Sequence, residues 1–144
     1  MLFRSQALHK AFDDWRQPAA GPQPYVRVPQ PLVAAAPERF IVRTPDKQNA
    51  NLRTLLRLPL TDLDADYPAM TVANYIFGLS NASRLWNRIR EKEGLSYDVR
   101  SVVDWNPLEP NSRWMVSAIF APQNRPKVEA ALKEEYDQIG RAHV

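Results

Sequence analysis

The pattern of hydrophobic and polar positions divides the chain into three parts. Residues 1–16 carry apolar side chains at loosely helical spacing, which predicts the tail of an amphipathic helix that belongs to a preceding unit. Residues 17–38 show little periodicity and contain six prolines, which lack the backbone N–H that helices and sheets use. We therefore predict an extended connector over 17–38, followed by the main part of one domain over 39–144.

Within 39–144, alternating and helical spacings follow one another in a definite order. Period-two alternation of apolar residues is typical of half-buried strands, and apolar residues three or four apart are typical of helices. Turn and cap residues, including Gly78, Gly94 and Gly140, mark the ends of the helices. The predicted elements are strands at 39–43 and 51–60, a helix ending at Gly78, a helix from Asn81 or Ser83 to Gly94, strands at 95–105 and 114–121, and a helix from Asn124 or Pro126 to Gly140.

The same spacings predict which side chains face the core. Each helix presents one apolar face, and the strand at 95–105 alternates between an apolar and a polar side. We expect the inward side chains to be Ala69, Val72, Ala73, Ile76 and Phe77 on the first helix, Leu85 and Ile89 on the second, Val128, Leu132 and Ile139 on the last, and Leu95, Tyr97, Val99, Val103 and Trp105 on the strand.

The order of elements predicts the fold class. After the short strand at 39–43 come a strand, two helices, two strands and a helix. This strand-helix-helix-strand-strand-helix order favours an α+β fold in which helices pack on one face of a mainly antiparallel sheet.

Composition narrows the function further. The chain has 44% hydrophobic and 24% charged residues, as an ordinary globular protein does, and no apolar run approaches the length of a membrane span. Its net charge of +3 comes from basic residues spread along the chain, without the dense basic run that nucleic-acid binding favours. We therefore expect no membrane and no nucleic-acid partner. A basic nucleic-acid-binding domain is a lower-ranked alternative, and it would show strongly salt-dependent affinity.

Catalytic machinery of the common types is missing from the sequence. His9 and His143 stand near opposite ends, and neither lies in an H-x-x-E-H or H-E-x-x-H pattern that could bind zinc. The sequence has no cysteine, no G-x-S-x-G pattern and no glycine-rich phosphate loop. We therefore predict no metal site in this chain and no peptidase activity of the chain alone.

One segment has a specific pattern, Ser83-Arg-Leu-Trp-Asn-Arg-Ile-Arg-Glu-Lys-Glu-Gly-Leu-Ser-Tyr97. It resembles the S-R-L-x-x-x-I/L-R-x-K-x-G-L-x-Y stretch in the C-terminal half of pitrilysin-type zinc metallopeptidases, the inverzincin family that includes insulin-degrading enzyme and mitochondrial processing peptidase. The match fixes Arg90, Gly94, Leu95 and Tyr97 at once. The resemblance extends to Asp46-Lys-Gln48, Asp64-Ala-Asp-Tyr67 and Asn124, and so covers most of the chain.

The resemblance implies a role on the zinc-free side of a two-part enzyme. In that family a zinc-bearing half-domain, on the same chain or a separate subunit, faces a zinc-free half across a chamber that encloses a peptide. Arg90 and Tyr97 match the residues that reach the substrate carbonyl. Ser83 and Arg84 are expected on the substrate-binding side, and the alternative for Arg84 is a structural or inter-domain contact. The cofactor, zinc, would be bound by the other half of the parent enzyme.

Physical chemistry supports such a role independently. Peptide hydrolysis places negative charge on the carbonyl oxygen, which guanidinium and phenol donors stabilise. Arginine near a helix end and tyrosine on a strand also serve purely structural purposes. The alternative is thus a non-catalytic scaffold or core-subunit domain of the same fold, in which Arg90 and Tyr97 only stabilise the helix-to-strand turn.

Overall fold

The computed structural model describes residues 3–13, 15 and 25–139. Two segments, Tyr75–Leu79 and Trp86–Lys92, are π helices, whose turn is wider than that of an α-helix. The elements are α1 (Phe3–Phe12), β1 (Ala50–Leu58), α2 (Tyr67–Asn74), a π extension (Tyr75–Leu79), a π helix (Trp86–Lys92), β2 (Ser96–Asp104), β3 (Ser112–Phe120), a 3-10 turn (Pro122–Asn124) and α3 (Arg125–Ile139). No helix in these described ranges has the length and apolar character needed to cross a bilayer.

The three strands form one antiparallel sheet in the order β1-β3-β2. Leu55 of β1 lies opposite Met115 of β3, and Val99 of β2 lies opposite Ala118. The buried side chains of β2 and β3 pack against Phe77, the π helix and α3. This arrangement confirms the predicted α+β fold and its order of elements.

The core lies between the sheet and the helices. Leu85 and Ile89, the two predicted inward residues of the second helix, are fully buried, as is Val128 of α3. Burying a side chain of this size stabilises the fold by about 1.5–3 kcal/mol. The full set of buried hydrophobic residues is Phe77, Leu85, Trp86, Ile89, Leu95, Val99, Val116, Ala118, Phe120, Val128 and Ala131.

The predicted strand at 39–43 is wrong. Residues 25–44 contain no helix or strand, and Phe40 is 77% exposed. A strand is stable only when its backbone hydrogen-bonds to a neighbouring strand. The strand that pairs with β3 here is β1, and not residues 39–43. Side-chain ion pairs hold this extended segment to the body, with Arg27 at 2.6 Å from Glu109 and Arg39 at 2.6 Å from Glu129.

The inward face predicted for the first helix is also wrong in part. Val72 and Ile76 are more than half exposed, whereas Asn74 is buried beside Phe77. Asn74 can be buried because its Oδ1 accepts a hydrogen bond from the Ser101 hydroxyl at 2.6 Å. The π extension then alters the angular spacing that a regular α-helix would have given.

Gly78 has a different role from the predicted helix stop. The π extension continues to Leu79, and a Cβ at position 78 would lie 2.5 Å from Cβ of Ser101. Glycine is therefore needed for the close packing of this segment on β2.

Two predicted boundaries fall at the edge of what the structure describes. The leading helix is present as α1, but residues 17–24 of the predicted connector lie outside the described residues. Gly140, predicted to close the last helix, also lies outside them, since α3 is described to Ile139.

Candidate functional site

A sharp turn joins the π helix to β2. Gly94 has a φ of +58°, the left-handed conformation that glycine adopts most readily. The backbone N–H of Leu95 donates to the Ile89 carbonyl at 2.8 Å, and that of Gly94 donates to the Arg90 carbonyl at 3.2 Å. The predicted end of the helix at Gly94 is confirmed, and the turn brings Arg90 next to the start of β2.

Tyr97 lies on an irregularity in β2. The strand register shifts between Ser96 and Asp98, so Tyr97 is an extra residue without a partner in β3. Tyr97 is 77% exposed, although Leu95 and Val99 on either side are buried. The prediction that Tyr97 shares their inward side is therefore wrong, because a bulge interrupts the alternation and points the side chain outward.

Arg90 and Tyr97 come together at this turn. The Cζ atom of Arg90 lies 5.3 Å from the centroid of the Tyr97 ring, and Nη1 of Arg90 donates to the Tyr97 carbonyl oxygen at 2.6 Å. Nε of Arg90 lies 3.7 Å from Glu91 Oε1. Within the described part of the chain, Nη2 of Arg90 has no hydrogen-bond partner.

Trp86 completes the cluster, and its role was missed in the sequence. Its ring centroid lies 4.3 Å from Cζ of Arg90, and its Nε1–H donates to Glu91 Oε1 at 3.1 Å. The available signal was the spacing, since residues four apart face each other on a helix. Arg100 also approaches this ring, at 5.7 Å, with its Nε 3.0 Å from Asp98 Oδ1. We refer to Trp86, Arg90 and Tyr97 as the corner cluster.

Arg84 and Ser83 lie at the opposite end of the same helical segment. Nε of Arg84 donates to Glu135 of α3 at 2.8 Å, and its Nη2 donates to Gln138. Ser83 is buried, and its hydroxyl oxygen accepts from the Trp86 backbone N–H at 3.4 Å. These contacts join the helix to α3. The assignment of Arg84 and Ser83 to substrate binding stays a prediction.

A second arginine strengthens the junction with α3. Nη2 of Arg88 lies 2.8 Å from Glu134, and Nε of Arg88 bonds to Glu93. These hydrogen bonds, that to Glu93 first and that to Glu134 next, raise the pKa of Arg88 above its ordinary value. The charged groups at this junction are therefore partnered within the protein.

A groove of about 420 Å³ lies between β1, β3 and α3. Trp114 stacks on Tyr136 with ring centroids 4.9 Å apart, and Phe77 meets both rings edge-on. Burial raises the pKa of the Tyr136 phenol. The groove is lined mainly by apolar side chains, and Arg90 and Tyr97 do not contribute to it.

The corner cluster offers hydrogen-bond donors but no group able to activate a nucleophile by itself. Among the described residues, no group of three or more histidine, cysteine or acidic side chains could hold a metal ion. The residues here do not fit a zinc site. The chemistry open to this corner is the stabilisation of an electron-rich oxygen by a guanidinium and a phenol.

Comparison with known proteins identifies the family. The family described as "Peptidase M16 inactive domain" matches residues 5–144. A crystal structure of a peptidase M16 inactive domain from Pseudomonas fluorescens has the same fold, with a TM-score of 0.56 and 24% identity over 64% of this chain. The match covers 22% of that protein's chain. No curated protein sequence matches. The chain belongs to the pitrilysin-type peptidase family M16, as its inactive, zinc-free domain.

Proposed function

We propose that this domain is the zinc-free half of a zinc metalloendopeptidase. In this proposal it forms part of the wall of a chamber that encloses an extended peptide. A zinc-bearing half-domain, on the same polypeptide or on a second subunit, faces it across the chamber. Family membership supports the zinc-free character of the domain, and the corner cluster supports a contribution to substrate contacts.

The availability of Arg90 carries the proposal. Nη1 of Arg90 is used by the Tyr97 carbonyl, while Nη2 has no partner among the described residues. The side chain of Arg90 is 36% exposed. A guanidinium that is fixed by one nitrogen and free at another can donate to an incoming peptide carbonyl without first giving up an internal bond.

Tyr97 adds a second donor beside the first. The bulge turns its side chain away from the core, and its ring lies against the Arg90 guanidinium. In the proposed step, the carbonyl oxygen of the scissile bond gains negative charge while Arg90 Nη2–H and the Tyr97 hydroxyl donate to it. Since the Arg90 guanidinium is held in place before the reaction, little reorganisation of that donor is needed when the charge develops.

The scaffold alternative also has an observation in its favour. The Arg90-to-Tyr97 backbone hydrogen bond of 2.6 Å links the helix to the strand, which by itself would stabilise the turn. The family description of the domain as inactive fits this alternative too.

Substitution of Arg90 and Tyr97 in the complete parent peptidase separates the two functions. We expect Arg90→Ala to lower kcat by roughly 100- to 1,000-fold, the loss typical of a removed oxyanion donor, and Tyr97→Phe to lower it less. Zinc content should stay close to that of the unaltered enzyme, and the melting temperature of Arg90→Ala should fall only by the loss of the Arg90 contacts, so activity is compared per folded molecule. The measurements are steady-state kinetics on a peptide substrate, metal analysis and thermal melts.

Arg100→Ala is the matched control. Arg100 approaches the same tryptophan ring but is bound to Asp98, so we expect its removal to change kcat by less than about threefold. Arg90→Ala enzyme that melts earlier but keeps full activity per folded molecule would instead establish the scaffold.

A further inference from the structure

Trp86 lies in the core but touches the proposed site. Trp86 is only 9% exposed and belongs to the same buried cluster as Leu85 and Ile89. A large aromatic ring packed on several sides has little freedom to move. Whatever rests on the outer face of that ring is therefore held against a rigid surface.

Arg90 is the group that rests there. Its Cζ lies 4.3 Å from the Trp86 ring centroid, well within the range of a cation–π contact. Trp86 also donates from Nε1 to Glu91 Oε1, and the same oxygen lies 3.7 Å from Nε of Arg90. The indole thus fixes the plane of the guanidinium directly and also orients the carboxylate beside it.

This contact matters because an unsupported arginine has many rotamers. Side-chain ordering of arginine costs about 2 kcal/mol, and a donor that must be ordered during the reaction stabilises the transition state less. The single backbone bond from Nη1 to Tyr97 leaves rotation about that bond open. The Trp86 face removes this freedom, so that Nη2 points to one place.

We propose that Trp86 is the positioning residue for Arg90, acting through the guanidinium and not on the peptide itself. This inference rests on the proposed function, because it assigns Trp86 a role only if Arg90 contacts the reacting carbonyl. It predicts that the contribution of Arg90 to kcat depends on an aromatic ring at position 86.

A double-mutant cycle in the complete parent peptidase tests the inference. The variants are Trp86→Met, which fills the space with a flexible apolar chain, Arg90→Ala, and the two combined. We expect Trp86→Met to lower kcat roughly tenfold with KM little changed, since the contact serves the transition state more than substrate binding. In the Arg90→Ala enzyme, the same substitution should have no further effect on kcat.

Two additional variants keep the test decisive. Trp86→Phe retains a smaller ring, so we expect a loss of about two- to threefold in the unaltered background and none with Arg90→Ala. Trp105→Leu is the matched tryptophan control, because the Trp105 ring packs on the Tyr67 ring with centroids 4.7 Å apart and has no contact with Arg90. It should lower the melting temperature while leaving kcat unchanged. If Trp86→Met fails to fold, the Trp86→Phe pair decides the result.

The possible results distinguish the two proposals. If the reductions in kcat caused by Trp86→Met and by Arg90→Ala multiply in the double variant, Trp86 is a core residue only. The inference is then overturned while the proposed function stands. If Arg90→Ala leaves kcat unchanged, the proposed function fails and the inference fails with it. A loss from Trp86→Met that disappears in the Arg90→Ala background supports both.

Discussion

The two ends of the helical segment that begins after Ser83 carry chemically similar residues in very different surroundings. At the N-terminal end, Arg84 is bound by Glu135 and Gln138 of α3. At the C-terminal end, Arg90 lies between two aromatic rings and keeps one nitrogen free among the described residues. Two of the three guanidinium nitrogens of Arg84 donate to side chains of α3, whereas Arg90 makes one hydrogen bond among the described residues, to a backbone carbonyl, and its guanidinium lies against ring faces.

This difference shows what separates a structural arginine from a candidate site residue. Both side chains are about equally exposed, at 38% for Arg84 and 36% for Arg90, so exposure does not distinguish them. The type of partner distinguishes the two arginines. Carboxylate and amide partners accept from Nε and Nη2 of Arg84, whereas ring faces hold the plane of the Arg90 guanidinium and only its Nη1 donates within the described structure.

The largest stability effect should come from the N-terminal end. We expect Arg84→Ala to lower the free energy of unfolding by about 2 kcal/mol, because the Glu135 carboxylate loses its nearest partner while it is buried. Glu135 keeps Arg88 at 3.9 Å, which limits the loss. Urea unfolding of the chain measures the change.

Comparison with Arg90→Ala sharpens this prediction. In the parent enzyme, Arg84→Ala should leave activity per folded molecule within about twofold, the reverse of the result expected at Arg90. Glu135→Gln is a suitable second variant, since it keeps the volume and one acceptor but removes the charge. A strong loss of kcat in Arg84→Ala, with zinc content intact, would support the predicted substrate role of Arg84 and would remove the distinction between the two ends.

A smaller effect is expected at the turn that closes the C-terminal end. Gly94→Ala should lower the free energy of unfolding by about 1 kcal/mol, because the left-handed conformation at a φ of +58° is unfavourable for a residue with a Cβ. Apart from the two chain neighbours, no atom of the described residues lies within 4 Å of the added Cβ, so the cost is conformational and not steric. Gly94→Asn should cost less, since asparagine adopts this conformation more readily. Thermal melts of the three proteins give the order.

Activity at Gly94 bears on the same comparison. The Gly94 turn sets the position of Tyr97 relative to Arg90, so in the parent enzyme Gly94→Ala should lower kcat as well as stability. Gly94→Asn should lower both kcat and stability less than Gly94→Ala does. Equal activity of the glycine and alanine enzymes would show that the corner tolerates a shift of the turn.

The sequence predicted much of this fold because its patterns are local. The helix ending at Gly94, the inward positions Leu85 and Ile89 and the strands β1, β2 and β3 all follow from spacing and turn residues. The strand expected at 39–43 failed because pairing depends on distant partners, which spacing does not reveal. The face of α2 was misassigned because Asn74 is buried through bonds to Ser101, another distant residue.

The site was predictable in part for the same reason. The motif brought Arg90 and Tyr97 together, and the structure places them in contact. The bulge that exposes Tyr97 has no clear sequence signal, because Ser96-Tyr-Asp98 continues the alternation of an ordinary strand. Arg100 reaches the Trp86 ring from another element, so no spacing along the helix could have indicated it.

The smallest effect should come from the hydroxyl at the start of the helix. Ser83→Ala removes the acceptor for the Trp86 N–H, and because that bond is long at 3.4 Å, we expect a loss of only about 0.5 kcal/mol in unfolding free energy. Ser80→Ala is the control, since the Ser80 hydroxyl makes no hydrogen bond among the described residues. Activity in the parent should not change, because core packing and not this N–H bond fixes the Trp86 ring. A drop in kcat with Ser83→Ala would contradict this expectation. It would mean either that Ser83 has the predicted substrate-binding role or that the N-terminal end of the helix controls the position of Arg90 through Trp86.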